Sequence, residues 1–357
     1  MSIALHRCRM PTTDLTPIRL TGRRGLVAAV PALLGFHPRE SVVLLCLRSP
    51  TRRIGPVIRV DLEDDAAHPS DFLIAQLTVH ANRHAHEVAV LCFTERQDVP
   101  RMVHELIAAL QRTGVCVLDA ACVREGYVRS VAISGHELGS GTDAWEPCSG
   151  VPAGADPQIQ ALAAASVLSG RGILADRQAL RNSIAGPVGE RADSAASALH
   201  VAADGLLGRA ESDPIDHDQL LAMARGTIKR ALHQTAARGA VDGPTSALLT
   251  LLMCDTGIRD QMVAEAVADL ESPWVPMLIA VATSVPDGDA AEVCAVLAVA
   301  AYRRGDGALA QVAVDRCLSA EPDHRLAHLM LAVMAAGLPP DELEHLATPP
   351  INQETDE

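Results

Sequence analysis

The chain has 357 residues, 48% of them apolar and 21% charged, a composition that builds a packed core and excludes a disordered chain. Aromatic residues make up only 2%, which leaves few platforms for stacked bases and argues against single-stranded nucleic-acid binding. Net charge is −14, and residues 151–357 hold the whole excess, with 14 basic against 28 acidic side chains, while residues 1–150 balance at 16 and 16. Such a half repels phosphate backbones and anionic lipid, so neither nucleic acid nor a membrane is expected as a partner.

In chain order, Arg23 and Arg24 precede the run GLVAAVPALLGF and give it a superficial likeness to a twin-arginine export signal. The run is about a dozen residues long and is interrupted by Pro31, far short of the roughly 20 residues a membrane span needs. It reads as a helix over 26–34, stopped by Gly35 and Pro38. SVVLLCL (41–47) is continuously apolar, as in a strand covered on both faces. In the next segment Ile58, Val60 and Leu62 alternate with Val57, Arg59 and Asp61, the period of a half-buried strand, and the two runs predict a hairpin. A helix over 70–85 follows, with Phe72, Leu73, Leu77 and Val79 as its apolar points. Then come a strand over 87–93, a helix over 100–112, and strands over 115–123 and 127–133. The alternation predicts an α/β domain at 1–140 with helices packed on a mixed sheet.

Gly, Pro and Ser crowd 141–156, which reads as a linker or long loop. Beyond it strand signals stop, and Ala-rich periodic segments predict an all-α domain at 157–347, closed by a polar, frayed tail at 348–357. Within it Ala298, Gly305, Ala310, Leu318 and Pro322 fall at the spacing of a tetratricopeptide helix pair. Nine scattered cysteines without a CxxC pair fit a reducing cytoplasm better than a disulfide framework.

Several blocks together resemble a known family. VPALLGFHPRESVVLL (30–45), RVDL (59–62), IRD (258–260) and YRRGDGALAQVAVDRCLSAEPDHRLAHLML (302–331) are similar to the signature blocks of the domain of unknown function 4192, in the same order along nearly the whole chain. The resemblance implies an intracellular protein. That family has no established activity, so the resemblance assigns no catalytic residue. Its members follow the tryptophan near the linker with several cysteines, whereas this chain has Trp145 and Cys148 only.

The residues that would carry chemistry are few. His37, Arg39 and Glu40 stand at a helix–strand junction, and a hairpin would bring Arg59 and Asp61 to the same sheet edge, making an anion or carboxylate pocket. The alternative is an Arg59–Asp61 ion pair on an exposed sheet face. His80 and His84 are four residues apart on one helical face, with His86 beyond the helix end. They are candidates for a metal that lack the glutamate of a zinc-protease motif, since Ala81 stands in its place. DLEDD (61–65) with His68 reads as a solvated, capping turn before it reads as a cation site, and GHELGSG (135–141) lacks the strand and helix of a phosphate loop. Ser41 and Ser134 have no GxSxG context, and no cofactor motif is found. These features predict a non-catalytic, cytoplasmic protein whose helical half meets a protein partner and whose α/β half holds at most a small ligand. The rival expectation is a hydrolase with a dispersed site at His37, Glu40, Arg59 and Asp61.

Overall fold

A computed structural model describes residues 2–4, 19–48, 50–62, 71–131, 145–147, 157, 160–162, 164, 172–212 and 215–347. The first residues of the expected all-α domain (157–171), the linker at 141–156 and the tail at 348–357 lie wholly or mostly outside these residues. The chain forms two compact units, Met1–Arg177 and Gln178–Glu357.

In the first unit, β1 (Ser2–Ala4) and β2 (Arg19–Thr21) make a two-stranded antiparallel sheet ahead of α1 (Gly22–Leu34). The main sheet holds β3 (Ser41–Arg48), β4 (Arg53–Asp61), β5 (Glu87–Phe93), β6 (Cys116–Arg124), β7 (Tyr127–Ser130) and β8 (Glu146–Pro147), in the order β4-β3-β5-β6-β7-β8. β5 and β6 are parallel; every other pairing in this sheet is antiparallel. The mixed sheet expected from the sequence is therefore present. β3 lies second from the edge, and its first seven residues are all buried, as a continuously apolar strand requires. β4 is the edge strand, half-buried along most of its length, which is where Pro56 costs no ladder hydrogen bond.

Two helices cover one face of this sheet: α2 (Asp71–His84) and α3 (Arg101–Arg112). Met102, Val103, Leu106, Ile107 and Leu110 form the apolar stripe of α3 and pack with Val42, Leu44, Val88, Val90, Val117 and Cys122. The stripe of α2 is Ile74, Leu77, Thr78 and Ala81; Phe72 and Val79, expected to point inward, are 70% and 58% exposed. The helical period decides this outcome, because 72 and 79 lie on the far side from 74, 77, 78 and 81. On the other face, α1 buries Leu26, Val27, Ala29 and Val30, and its Arg23 reaches Asp119 of β6. β6 and β7 are joined by a two-residue turn in which Glu125 and Gly126 both have positive φ, the geometry that matches strand twist.

The short helix α4 (Arg177–Asn182) spans the division between the units. The second unit is all helical: α5 (Glu190–Ser212), α6 (His217–Arg238), α7 (Gly243–Leu252), α8 (Thr256–Ala268), α9 (Trp274–Ala282), α10 (Ala291–Arg303), α11 (Gly307–Ala320), α12 (Arg325–Ala336) and α13 (Glu342–Ala347). Local chemistry sets the ends. Asp216 and Gln219 form a reciprocal capping box at the start of α6, and Gly239 closes that helix in the left-handed conformation. Asp255, one residue before Thr256, caps α8 by accepting from the Ile258 backbone N–H at 3.0 Å. α10 and α11 pack along one another as a helical hairpin around the positive φ of Gly305, with Ala310 fully buried at the contact. Trp274 is 3% exposed and anchors the start of α9.

Candidate functional site

Polar side chains concentrate at the end of the sheet where β3 begins and β4 and β5 end. Glu40, the residue before β3, adopts φ +38, a conformation that costs a side chain about 1 kcal/mol. Its contacts explain the persistence. One carboxylate oxygen accepts from the Glu95 backbone N–H at 2.7 Å, both accept from Thr94 Oγ1 at 3.0 and 3.1 Å, and Arg96 lies at 3.3 Å. The Glu40 carbonyl in turn accepts from the Leu62 N–H at 2.9 Å, joining the ends of β3 and β4.

A second cluster stands across the β3–β4 ladder. Arg59 donates to Asp61 at 2.5 Å, and Arg177 donates to the other oxygen of Asp61 at 3.0 Å. The Arg59 side chain is only 11% exposed, with its guanidinium carbon 5.9 Å from the Phe36 ring, while Asp61 remains open to solvent. Phe36 is buried by a bridge to Leu174: His37 N–H donates to the Leu174 carbonyl at 3.1 Å, and Leu174 N–H returns to Gly35 at 2.8 Å. His37 is exposed, and so is Glu40's neighbour Arg39 on its outer side. Ser41 pairs with Asp61 on one side and Phe93 on the other; its Oγ is buried without a hydrogen-bond partner among the described residues.

Of the five candidate residues, Glu40 falls in one cluster and Arg59 with Asp61 in another, each built around one carboxylate, while the side chains of His37 and Arg39 are exposed at the same end of the sheet. Thr94, Arg96 and Arg177, which complete the clusters, lie 54 to 116 residues away in sequence from the carboxylates they bind, and no local pattern announces them. His80 and His84 lie in α2, and His86 follows it. Among the described residues no group of three or more His, Cys, Asp or Glu side chains is arranged to hold a metal. Glu63, Asp64, Asp65 and His68 of the acidic turn, the glycine-rich stretch 135–141, Ser134 and Cys148 lie outside the described residues.

Residues 24–341, nearly the whole chain, match the family described as Domain of unknown function (DUF4192). The chain belongs to that family. No curated protein and no solved structure matches it.

The DUF4192 match also contains the buried polar side chains of the helical unit. Arg316, its side chain 10% exposed, donates to the carbonyls of Ala282 at 2.8 Å, Val285 at 3.0 Å and Ile184, and pairs with Asp287 at 2.9 Å. Glu292 accepts from Arg259 at 3.5 Å and faces His324 Nε2 at 3.2 Å. The Nδ1 of His324 accepts the Ala327 N–H at 3.3 Å, so the ring caps α12, and its buried Nε2 makes no hydrogen bond among the described residues. Arg303, also buried, pairs with Asp341 at 3.2 Å and Glu344 at 2.8 Å. Each of these arginines is committed to carbonyls or carboxylates of its own unit, an arrangement that fastens helices.

On the outside of the same unit, α5 runs for 23 residues without a buried one. Val201 is 73% and Leu207 is 63% exposed. Asp204, Gly208 and Arg209 of α5 face Gln219 and Met223 of α6 across a groove of about 520 Å³.

Proposed function

We propose that this protein acts by binding rather than by catalysis, with the helical unit docking a protein partner and the α/β unit holding a small ligand. The observation that carries the reading is α5. A helix owes most of its stability in a protein to the burial of an apolar face, yet the stripe of this one (Ala195, Leu199, Ala202 and Leu206) is only half-buried, and Val201 and Leu207 are exposed on its outer side. The partner's chemistry follows from charge: a half with 28 acidic and 14 basic residues favours a partner with a basic docking face. The hydrolase reading of His37, Glu40, Arg59 and Asp61 draws no support, because both carboxylates are already taken by arginines and backbone, and His37 stands in solvent.

The test is affinity capture on the full chain and on a Val201→Asp/Leu207→Asp variant, with helical content checked by circular dichroism. A basic protein retained by the native chain and lost by the variant supports the reading. Identical capture profiles for the two chains sink it.

A further inference from the structure

The turn at Glu125–Gly126 folds β7 back on β6 so that Arg124 pairs with Tyr127 and Cys122 with Arg129. Alternation along the two strands then puts Arg124, Cys122 and Arg129 on one face of the sheet. β8 adds to β7 and delivers Trp145, the residue before it, beneath both arginines. The guanidinium carbons of Arg124 and Arg129 lie 4.5 and 4.9 Å from the same indole centroid. The indole packs against the core and fixes both cations in place.

What distinguishes these two arginines is that one indole holds both of them with no carboxylate counter-ion among the described residues. Arg23, Arg52, Arg59, Arg96 and Arg177 of the same unit each pair with a carboxylate. Arg124 and Arg129 pair with none among the described residues; the hydrogen bond of Arg129 goes to the Gln97 carbonyl at 3.4 Å. Two like charges held over one ring repel, and a cation–π contact returns only about 0.5–1 kcal/mol apiece at such partly exposed sites. An anion between their N–H groups would remove that cost. The position agrees, since Arg124 ends β6, one of the two parallel strands, and open α/β sheets bind ligands beyond the carboxyl ends of such strands. The Gln97 loop leads from β5 into α3, whose start has no side-chain cap.

We infer that Arg124, Arg129 and Trp145 form an oxyanion site whose ligand is a phosphorylated small molecule. Charge selects phosphate over carboxylate: two guanidinium groups match the near-dianion of a phosphomonoester at neutral pH, and their planar forks each take two of its oxygens. The inference rests on residues of the first unit and the partner reading on residues of the second, so the two stand or fall independently.

The experiment is calorimetric titration of the full chain with inorganic phosphate, ribose 5-phosphate and adenosine monophosphate, with Trp145 emission followed in parallel. Saturable binding is expected, weakened about tenfold or more in Arg124→Gln and Arg129→Gln, less in Arg124→Lys, and unchanged in Arg112→Gln, an exposed control. Trp145→Phe should remove the emission change. Comparing the three titrants separates recognition of the phosphate group alone from recognition of what it is attached to. Circular dichroism confirms that each variant is folded. Absence of binding to all three up to about 10 mM, or binding that survives the double Arg124→Gln/Arg129→Gln change, overturns the inference.

Discussion

Arg23 grips Asp119 through its Nε at 3.0 Å to both carboxylate oxygens and its Nη2 at 2.6 Å to one of them, tying the first turn of α1 to the middle of β6. Asp119 is 8% exposed, and Arg23 engages both of its carboxylate oxygens. The arginine pair that looks like an export signal in the sequence therefore contributes a structural clamp. Removing one partner of a buried, bidentate pair strands the other. Arg23→Met should cost about 3 kcal/mol in chemical denaturation, and Arg23→Met/Asp119→Leu should recover part of it. A single variant with unchanged stability would show that the clamp contributes nothing net.

Glu40 poses two opposing terms, a strained backbone and a fully engaged carboxylate. Glu40→Ala loses the charged hydrogen bonds to Thr94 and Glu95 and keeps the strain, and should destabilise by about 2–3 kcal/mol. Glu40→Gly loses the same bonds but relieves φ +38, so it should be more stable than Glu40→Ala by about 1 kcal/mol. The comparison of midpoints between these two variants is the measurement. The reverse order would mean that the backbone there is not strained.

In the helical unit, Arg316 and Gly186 form one device. A Cβ at Gly186 would come within 2.7 Å of Asp287 Oδ1 and 2.8 Å of Arg316 Nη2, so the glycine makes room for the guanidinium and its partners. Arg316→Met should cost about 3–5 kcal/mol by leaving three carbonyls without their donor. Gly186→Ala should destabilise through the same contacts, and the two changes together should cost less than their sum. Strict additivity would refute the shared mechanism.

What was legible in the sequence follows from range. Periodicity gave the strands at 41–47 and 87–93 and most helices to within a few residues, because burial on one face or two is written locally. It misread Phe72 and Val79, whose apolar character suggested a core the helical period denies them. It did not find β1 and β2, whose three-residue strands carry no pattern, nor α13. The candidate site was half visible: Arg59 and Asp61 are two residues apart, but Arg177, Arg96 and Thr94 arrive through the fold. Arg124, Arg129 and Trp145 were hidden for the same reason, since only strand pairing across about 20 residues brings them together.

Asp242 caps α7 by accepting from the Thr245 N–H at 2.8 Å, and the Thr245 contacts, helped by Gln234 and Arg238, hold its carboxyl below the ordinary 3.8. A depressed carboxyl stabilises the fold above its unfolded value and loses that contribution as pH falls through the folded one. Stability should therefore drop below about pH 4 in the native chain, and Asp242→Asn should flatten that part of the profile. At pH 7 Asp242→Ala should cost about 1 kcal/mol, as lost caps do. Parallel acid profiles for the native chain and the Asp242→Asn variant would remove the carboxyl from the account.

The cysteines allow a last prediction. Burial pushes the Cys46 and Cys317 thiols up to about 12 and Cys294 to about 11, so none offers a thiolate near neutrality. Cys92 and Cys122 face each other across the parallel pair β5 and β6, buried beneath α2 and α3. Cys254 is exposed and Cys116 half-exposed. Brief maleimide treatment at about pH 7, read by peptide mass spectrometry, should mark Cys116 and Cys254 and leave the five buried thiols unmodified until denaturant is added. Because Cys46, Cys294 and Cys317 titrate higher folded than unfolded, their contribution to stability is complete below the unfolded value of 9.0 and is lost as pH rises from there through the folded values. Rapid native-state labelling of Cys294 or Cys317 would mean that the α10–α11 hairpin opens far more often than a fully packed core permits.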